Sequence, residues 1–114
     1  PGNIKFVDAF RKKFNETPNY LAANPFTNIL FLLQSIERAK TDDPIKVAQA
    51  MEDVEYEGLT GPEKFRGCDH QAVKPYYTLQ CKAEKDMKTP DDFADIIGSS
   101  TNIQPCNETG CNMS

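Results

Sequence analysis

The sequence predicts an α/β chain, helices plus a few short strands, and three observations carry that prediction. Apolar residues recur at three- and four-residue steps as far as about Asp53, the period of a helix packed on one side. From Val54 the period shortens to two, in short runs rich in β-branched and aromatic residues. Proline, glycine and aspartate stand where one element would stop and the next begin.

The first helix is read from Ile4, Val7, Phe10 and Phe14, with Arg11, Lys12 and Lys13 on its solvated side. It stops near Asn15, and Pro18 enforces the break. After a link over 19–23, Asn24 is expected to cap a second helix with Pro25 at its first position. That helix runs through Phe26, Ile29, Leu30, Leu32, Leu33 and Ile36 to Ala39. Its apolar residues wrap most of the circumference, so it is expected to lie between other elements. Asp43 and Pro44 give a cap and first position for a short third helix through Ile45, Val47, Ala48, Ala50 and Met51.

Val54-Glu55-Tyr56 alternates and ends at Gly58, a short strand. Gly61-Pro62 makes a turn, and Glu63 to Arg66 a second strand. Residues 67–74 read as a loop, and 75–82, with Tyr76, Tyr77, Thr78 and Leu79, as a third strand. After a charged connection, Thr89-Pro90-Asp91-Asp92 reads as a helix start, with Phe93, Ala94, Ile96 and Ile97 as its apolar side and Gly98 as its end. The tail is polar and turn-rich. Three short strands are little surface for so apolar a second helix. The chain therefore reads as part of something larger, or as half of a homodimer that covers the helix.

The 114 residues bound the answer to one small domain. The net charge of −4 and scattered Lys and Arg argue against nucleic acid as a partner. The longest apolar run, Ile29 to Leu33, falls far short of the roughly 20 residues that span a bilayer. No secretory leader is read at the start, and a mature secreted chain would have lost one.

Cys68, Cys81, Cys106 and Cys111 form an even set that permits two disulfides and an oxidising compartment. Of the possible pairings, Cys106 with Cys111 closes the shortest loop, which leaves Cys68 for Cys81. A zinc site would need closer ligand pairs than these, and the only histidine is His70. Cys68 and His70 could in principle serve as nucleophile and base, but no third group is seen to orient them, so a structural loop is expected. Asp91, Asp92 and Asp95 read as helix-start and solvent residues rather than as acid–base pairs. Asn15-Glu16-Thr17 and Asn107-Glu108-Thr109 match the glycosylation pattern.

The string from Phe26 through Ile36-Glu37-Arg38-Ala39 to Asp42-Asp43-Pro44-Ile45-Lys46-Val47-Ala48-Gln49-Ala50-Met51 resembles the last third of branched-chain amino-acid-binding proteins. These are type I periplasmic solute-binding proteins of ABC transporters. Tyr56-Glu57-Gly58-Leu59-Thr60-Gly61-Pro62, Phe65-Arg66, Asp69-His70-Gln71 and Pro75-Tyr76-Tyr77 resemble the segments that follow in that family. The likeness covers about residues 1–98. It implies a C-terminal fragment of a two-lobed fold with a ligand cleft between the lobes. Residues 1–56 would be helices mainly of the first lobe. Residues 57–98 would be a crossing segment with a second-lobe strand and helix, and 99–114 a disulfide-containing tail.

By the same resemblance the function is non-catalytic. The protein would bind an amino acid, small carboxylate or aromatic acid in the periplasm and deliver it to ABC transporter membrane subunits, without a cofactor or metal. A ligand-sensing or interaction domain of the same fold is the second reading. The stretch ahead of the long helix would face the cleft, with contacts at Leu21, Ala22 and Asn24 and at Phe26, where the family usually has tyrosine. A loop running into a helix N-terminus would offer free N–H groups there. The serine and threonine residues that grip an amino-acid head group would lie upstream.

Overall fold

The computed structural model describes residues 2–111 and 113. Three helices come first: α1 (Gly2–Phe14), α2 (Tyr20–Ala39) and α3 (Pro44–Met51). Strands β1 (Glu55–Glu57), β2 (Pro62–Phe65) and β3 (Ala72–Val73) form one antiparallel sheet in sequence order. Strands β4 (Tyr76–Cys81) and β5 (Ala94–Ser100) form a separate two-stranded antiparallel ribbon. Short 3₁₀ turns occupy Glu84–Asp86 and Cys106–Glu108.

The third helix follows expectation. Asp43 accepts a hydrogen bond from the Lys46 N–H, and Pro44 takes the first position. The second begins earlier than expected. Asn19, in extended conformation, is the cap and accepts from the Ala22 N–H at 3.2 Å, so Pro25 sits inside the helix. The Asn24–Pro25 cap signal is genuine chemistry at the wrong address, because a real Asx cap five residues upstream starts the helix first.

Three other expectations change. Residues 67–74 contain β3, whose two residues pair with Lys64 and Phe65. The helix expected from Thr89 is absent. Thr89 to Asp92 is a turn, with the Asp92 N–H on the Thr89 carbonyl, and the apolar residues behind it form β5. Its register against β4 runs from Cys81↔Ala94 to Tyr76↔Ser100, with Ile97 as an extra residue between Thr78↔Gly98 and Leu79↔Ile96. Finally, Cys68 pairs with Cys106, across a Cα separation of 6.0 Å. Cys81 and Cys111 are free and exposed. Cys81 ends β4 at the far end of the ribbon from Tyr76. The tail instead returns past Arg66, whose Nη1 donates to the Gln104 carbonyl at 2.7 Å, and delivers Cys106 to Cys68.

The core is small and sits where α2, α3 and the three-stranded sheet meet. Phe31 and Val47 are its buried apolar residues. The Phe31 ring stacks on Tyr56 at 4.0 Å, and Phe65 closes from the other side. Ser35 is fully buried and returns its hydroxyl to the Phe31 carbonyl, which satisfies it within the helix. α1 joins through Phe6, whose ring lies 4.8 Å from Phe26.

Much apolar surface remains open. Leu21, Phe26, Ile29, Leu30, Leu32 and Leu33 of α2 are all exposed. A compact monomer of this size would expose about 6,300 Å², and the chain exposes 8654 Å². Its radius of gyration is 17.2 Å, against about 13 Å for a compact domain of this length. The expectation that α2 is buried within the chain thus fails, while the reading that it needs surface from elsewhere fits these dimensions.

Candidate functional site

The residues expected to face a ligand lie in the first two turns of α2, not in a loop before it. Leu21, Asn24 and Phe26 are exposed and Ala22 is half-buried. At 100° per residue, Ala22 and Phe26 share one face, and Leu21 and Asn24 lie on another. One of the free N-terminal donors is used, that of Ala22, and the Ala23 N–H makes the first helical bond. The Ala22 N–H meets the Asn19 side chain, and the Ala22 and Ala23 N–H groups meet the Asn19 carbonyl. A group of the opposite kind is also set free. Pro25 has no N–H, so the carbonyl four residues earlier, that of Leu21, has no helical donor.

Phe26 is the one of the four that also borders a cavity, a recess of about 620 Å³ between α1, α2 and the β1–β2 turn. Phe6 and Ala9 come from α1, Phe26 and Leu30 from α2, and Gly58-Leu59 from the turn. The only charged groups among the described lining residues are Lys5 and Glu57. Such a wall suits an apolar group with one polar end. Phe6, Ala9 and Leu30 carry no separate sequence signal, since their spacing equally fits plain helix packing. Gly58 was visible as part of the glycine-spaced segment after Tyr56.

The β1–β2 turn is held by an unusual carboxylate. Glu63 is 7% exposed, yet no cation neighbours it among the described residues. It accepts from the Tyr56 hydroxyl at 2.9 Å and the Thr60 hydroxyl at 3.3 Å. Burial, then the Glu63 hydrogen bond and charge, raise the Tyr56 phenol well above its usual pKa. The Tyr77 hydroxyl donates to the Thr60 carbonyl at 2.5 Å, which ties β4 to the same turn. Gly58 makes room for this arrangement, because a Cβ there would meet Glu63 Oε1 at 2.0 Å.

Asp69-His70-Gln71 is locked structurally. Arg66 makes a two-pronged contact with Asp69, with Nε donating to Oδ1 at 2.9 Å and Nη2 to Oδ2. That hydrogen bonding holds the Asp69 carboxyl below the usual range and the Arg66 guanidinium above its own. Asp69 also accepts the Gln71 N–H. His70, in left-handed conformation with φ 57°, packs on Phe65 and places Nε2 3.0 Å from Glu52 Oε1. Cys68 carries no thiol, since its sulfur is in the disulfide, so the Cys68–His70 nucleophile arrangement does not exist here. Asp91 meets Arg11 and Thr17, and Asp92 and Asp95 meet Lys82, so these carboxylates are tied to structural partners.

A family model described as periplasmic binding protein matches residues 1–86, about three-quarters of the chain. The chain belongs to the periplasmic binding protein family. An amino acid ABC transporter substrate-binding protein from Pseudomonas fluorescens is 32% identical to it, with a TM-score of 0.93 over 99% of this chain and 30% of that one. A branched-chain amino acid transporter protein from Rhodopseudomonas palustris is 27% identical over 87% of the chain, with a TM-score of 0.71. A solute-binding protein from the same species, solved with 3,4-dihydroxybenzoic acid, is 18% identical with a TM-score of 0.66, and shares the fold. This periplasmic binding protein chain spans under a third of the length of each. Its helices and short strands are thus a portion of the two-lobed fold. No helix among the described residues is long and apolar enough to cross a membrane.

Proposed function

We propose that this chain forms part of the ligand-binding wall of a periplasmic protein that captures a small solute, an amino acid, small carboxylate or aromatic acid, and delivers it to ABC transporter membrane subunits. The observation that carries the reading is the 99% overlap, at 32% identity, with an amino acid ABC transporter substrate-binding protein. The same fold holds a dihydroxybenzoate in a more distant protein, which supports keeping aromatic acids in the class. Residues 1–56 would serve the first lobe, 57–98 the crossing and second lobe, and 99–114 the tail. Leu21, Ala22, Asn24 and Phe26 would contact the solute. Phe26 would offer its ring, and the donor-free Leu21 carbonyl would be open to an ammonium or hydroxyl group. Capture is reversible and involves no bond making.

Calorimetry against a panel of amino acids, small carboxylates and aromatic acids tests this on the chain alone and on a full-length protein carrying it. Full-length protein is expected to bind one class at micromolar Kd or tighter, and the chain alone no better than about 1 mM, because most of the cleft is missing. Phe26→Ala in the full-length protein should weaken binding about tenfold or more. Unchanged affinity would remove Phe26 from the site, and failure of every solute class would overturn the reading.

A further inference from the structure

Three of the four cysteines border one cavity. It lies between the end of α3 and the tail, has a volume of about 420 Å³, and is lined by Glu52, Gly67, Cys68, Cys106, Cys111 and Met113 among others. Two of those cysteines form the disulfide, and the third, Cys111, is a free and exposed thiol. The tail is folded so that Cys111 returns toward Cys106. The Glu108 N–H bonds the Pro105 carbonyl, the Thr109 hydroxyl bonds the Cys106 carbonyl, and the Cys111 N–H bonds the Thr109 hydroxyl. Gly110 makes the reversal at φ 68°. The Glu52 carboxylate in the cavity is opposed by His70 at 3.0 Å.

We propose that Cys111 is an internal exchange thiol, which moves the disulfide between Cys68–Cys106 and Cys106–Cys111. The Cys111 thiolate attacks Sγ of Cys106. The bond to Cys68 breaks, and its electron pair leaves on the Cys68 sulfur, which takes up a proton equivalent to the one Cys111 lost. One S–S bond forms as one breaks, so no oxidant or reductant is consumed. Attack at Cys106 is favoured by sequence distance. In an unfolded chain, closing the five residues from Cys106 to Cys111 is about 20-fold easier than closing the 38 from Cys68 to Cys106, by the three-halves power of loop length. The folded structure opposes that preference through the Arg66 to Gln104 bond, which holds the tail beside the Cys68 loop. The two isomers are therefore set against each other, local chain entropy on one side and tertiary contacts on the other. Exchange unpins the tail from the loop that carries Asp69 and His70 and returns a thiol to Cys68. Cys81 takes no part, since it ends β4 at the far end of the ribbon from Tyr76.

The test maps disulfides without reduction. The full chain is held at mildly alkaline pH for several hours, quenched in acid, alkylated and digested. At least about a tenth of the molecules should carry Cys106–Cys111, with alkylation at Cys68 in the same fraction, since exchange runs through the thiolate. That fraction should be unchanged on tenfold dilution and in Cys81→Ser. It should vanish in Cys111→Ser, which keeps Cys68–Cys106 only. Alkylation confined to Cys81 and Cys111 in the parent chain would overturn the proposal. So would a Cys68–Cys111 bond, or exchange that is lost on dilution or with Cys81→Ser.

Discussion

The half of the molecule around α2, α3 and the β1–β2–β3 sheet and the half made by the β4–β5 ribbon are built on different principles. The first has a core, with Phe31 and Val47 buried and Phe31 stacked on Tyr56. The ribbon has none. All six residues of β4 are exposed, and in β5 only Ala94 and Gly98 are even half-buried. It is held by its backbone ladder, by Lys82 with Asp92 and Asp95, and by Tyr77 reaching Thr60. The contrast shows which part can keep its shape unaided. Burial stabilises whatever else is present, whereas exposed strands and ion pairs contribute little until something covers them.

The largest expected effect breaks the first half. Phe31→Ala removes the stacked ring at the centre of the core and should cost about 3–5 kcal/mol in urea unfolding followed by circular dichroism. Leu79→Ala, an equally apolar deletion in the ribbon, should cost under about 0.5 kcal/mol. Equal costs would erase the distinction. Gly58→Ala comes next. Its methyl group must push Glu63 away from Tyr56 and Thr60, at about 1–3 kcal/mol for a buried carboxylate that loses partners. Combining it with Glu63→Ala should recover part of that loss. The same cost with and without Glu63 would place the strain in the backbone instead.

The smallest effect separates the halves by pH. Asp92 is held below the usual carboxylate range, first by the Lys82 hydrogen bond and then by the Lys88 N–H. A depressed folded pKa gives stability that is present above the unfolded value and is lost as pH falls through the folded one. Amide exchange in β4 and β5 should therefore quicken below about pH 4, before that of α2. Lys82→Met should reduce this acid sensitivity, leaving the part due to the Lys88 N–H. If the ribbon keeps it in full, another group is responsible.

How much was legible follows the same division. α1, α3, β1, β2 and β4 could be read because each carries its own local signal, such as Asp43-Pro44 or the alternation at Tyr56. β5 could not. Phe93, Ala94, Ile96 and Ile97 fit a helix as well as a strand, and pairing with β4 decides between them, an interaction no local pattern encodes. The disulfide was missed for the same reason, since Arg66 and Gln104 bring Cys106 to Cys68 across 38 residues. The start of α2 was misread because two sound cap signals compete and the upstream one prevails. The apolar girth of α2 was plain, and its exposure was not, since no other described element packs over Leu21, Ile29 and Leu33. In the candidate site, Phe26 was legible as a position and the recess it borders was not, because α1 and the β1–β2 turn meet there only in three dimensions.

Pro25 has a consequence of another kind. Along α2 the carbonyl oscillators are vibrationally coupled and tuned by their hydrogen bonds, and the Leu21 carbonyl stands outside that ladder. An isotope-edited infrared label at Leu21 would therefore absorb apart from the rest of the helix. Its frequency would report directly on what occupies the first turns of α2, whether water, a neighbouring lobe or a bound solute.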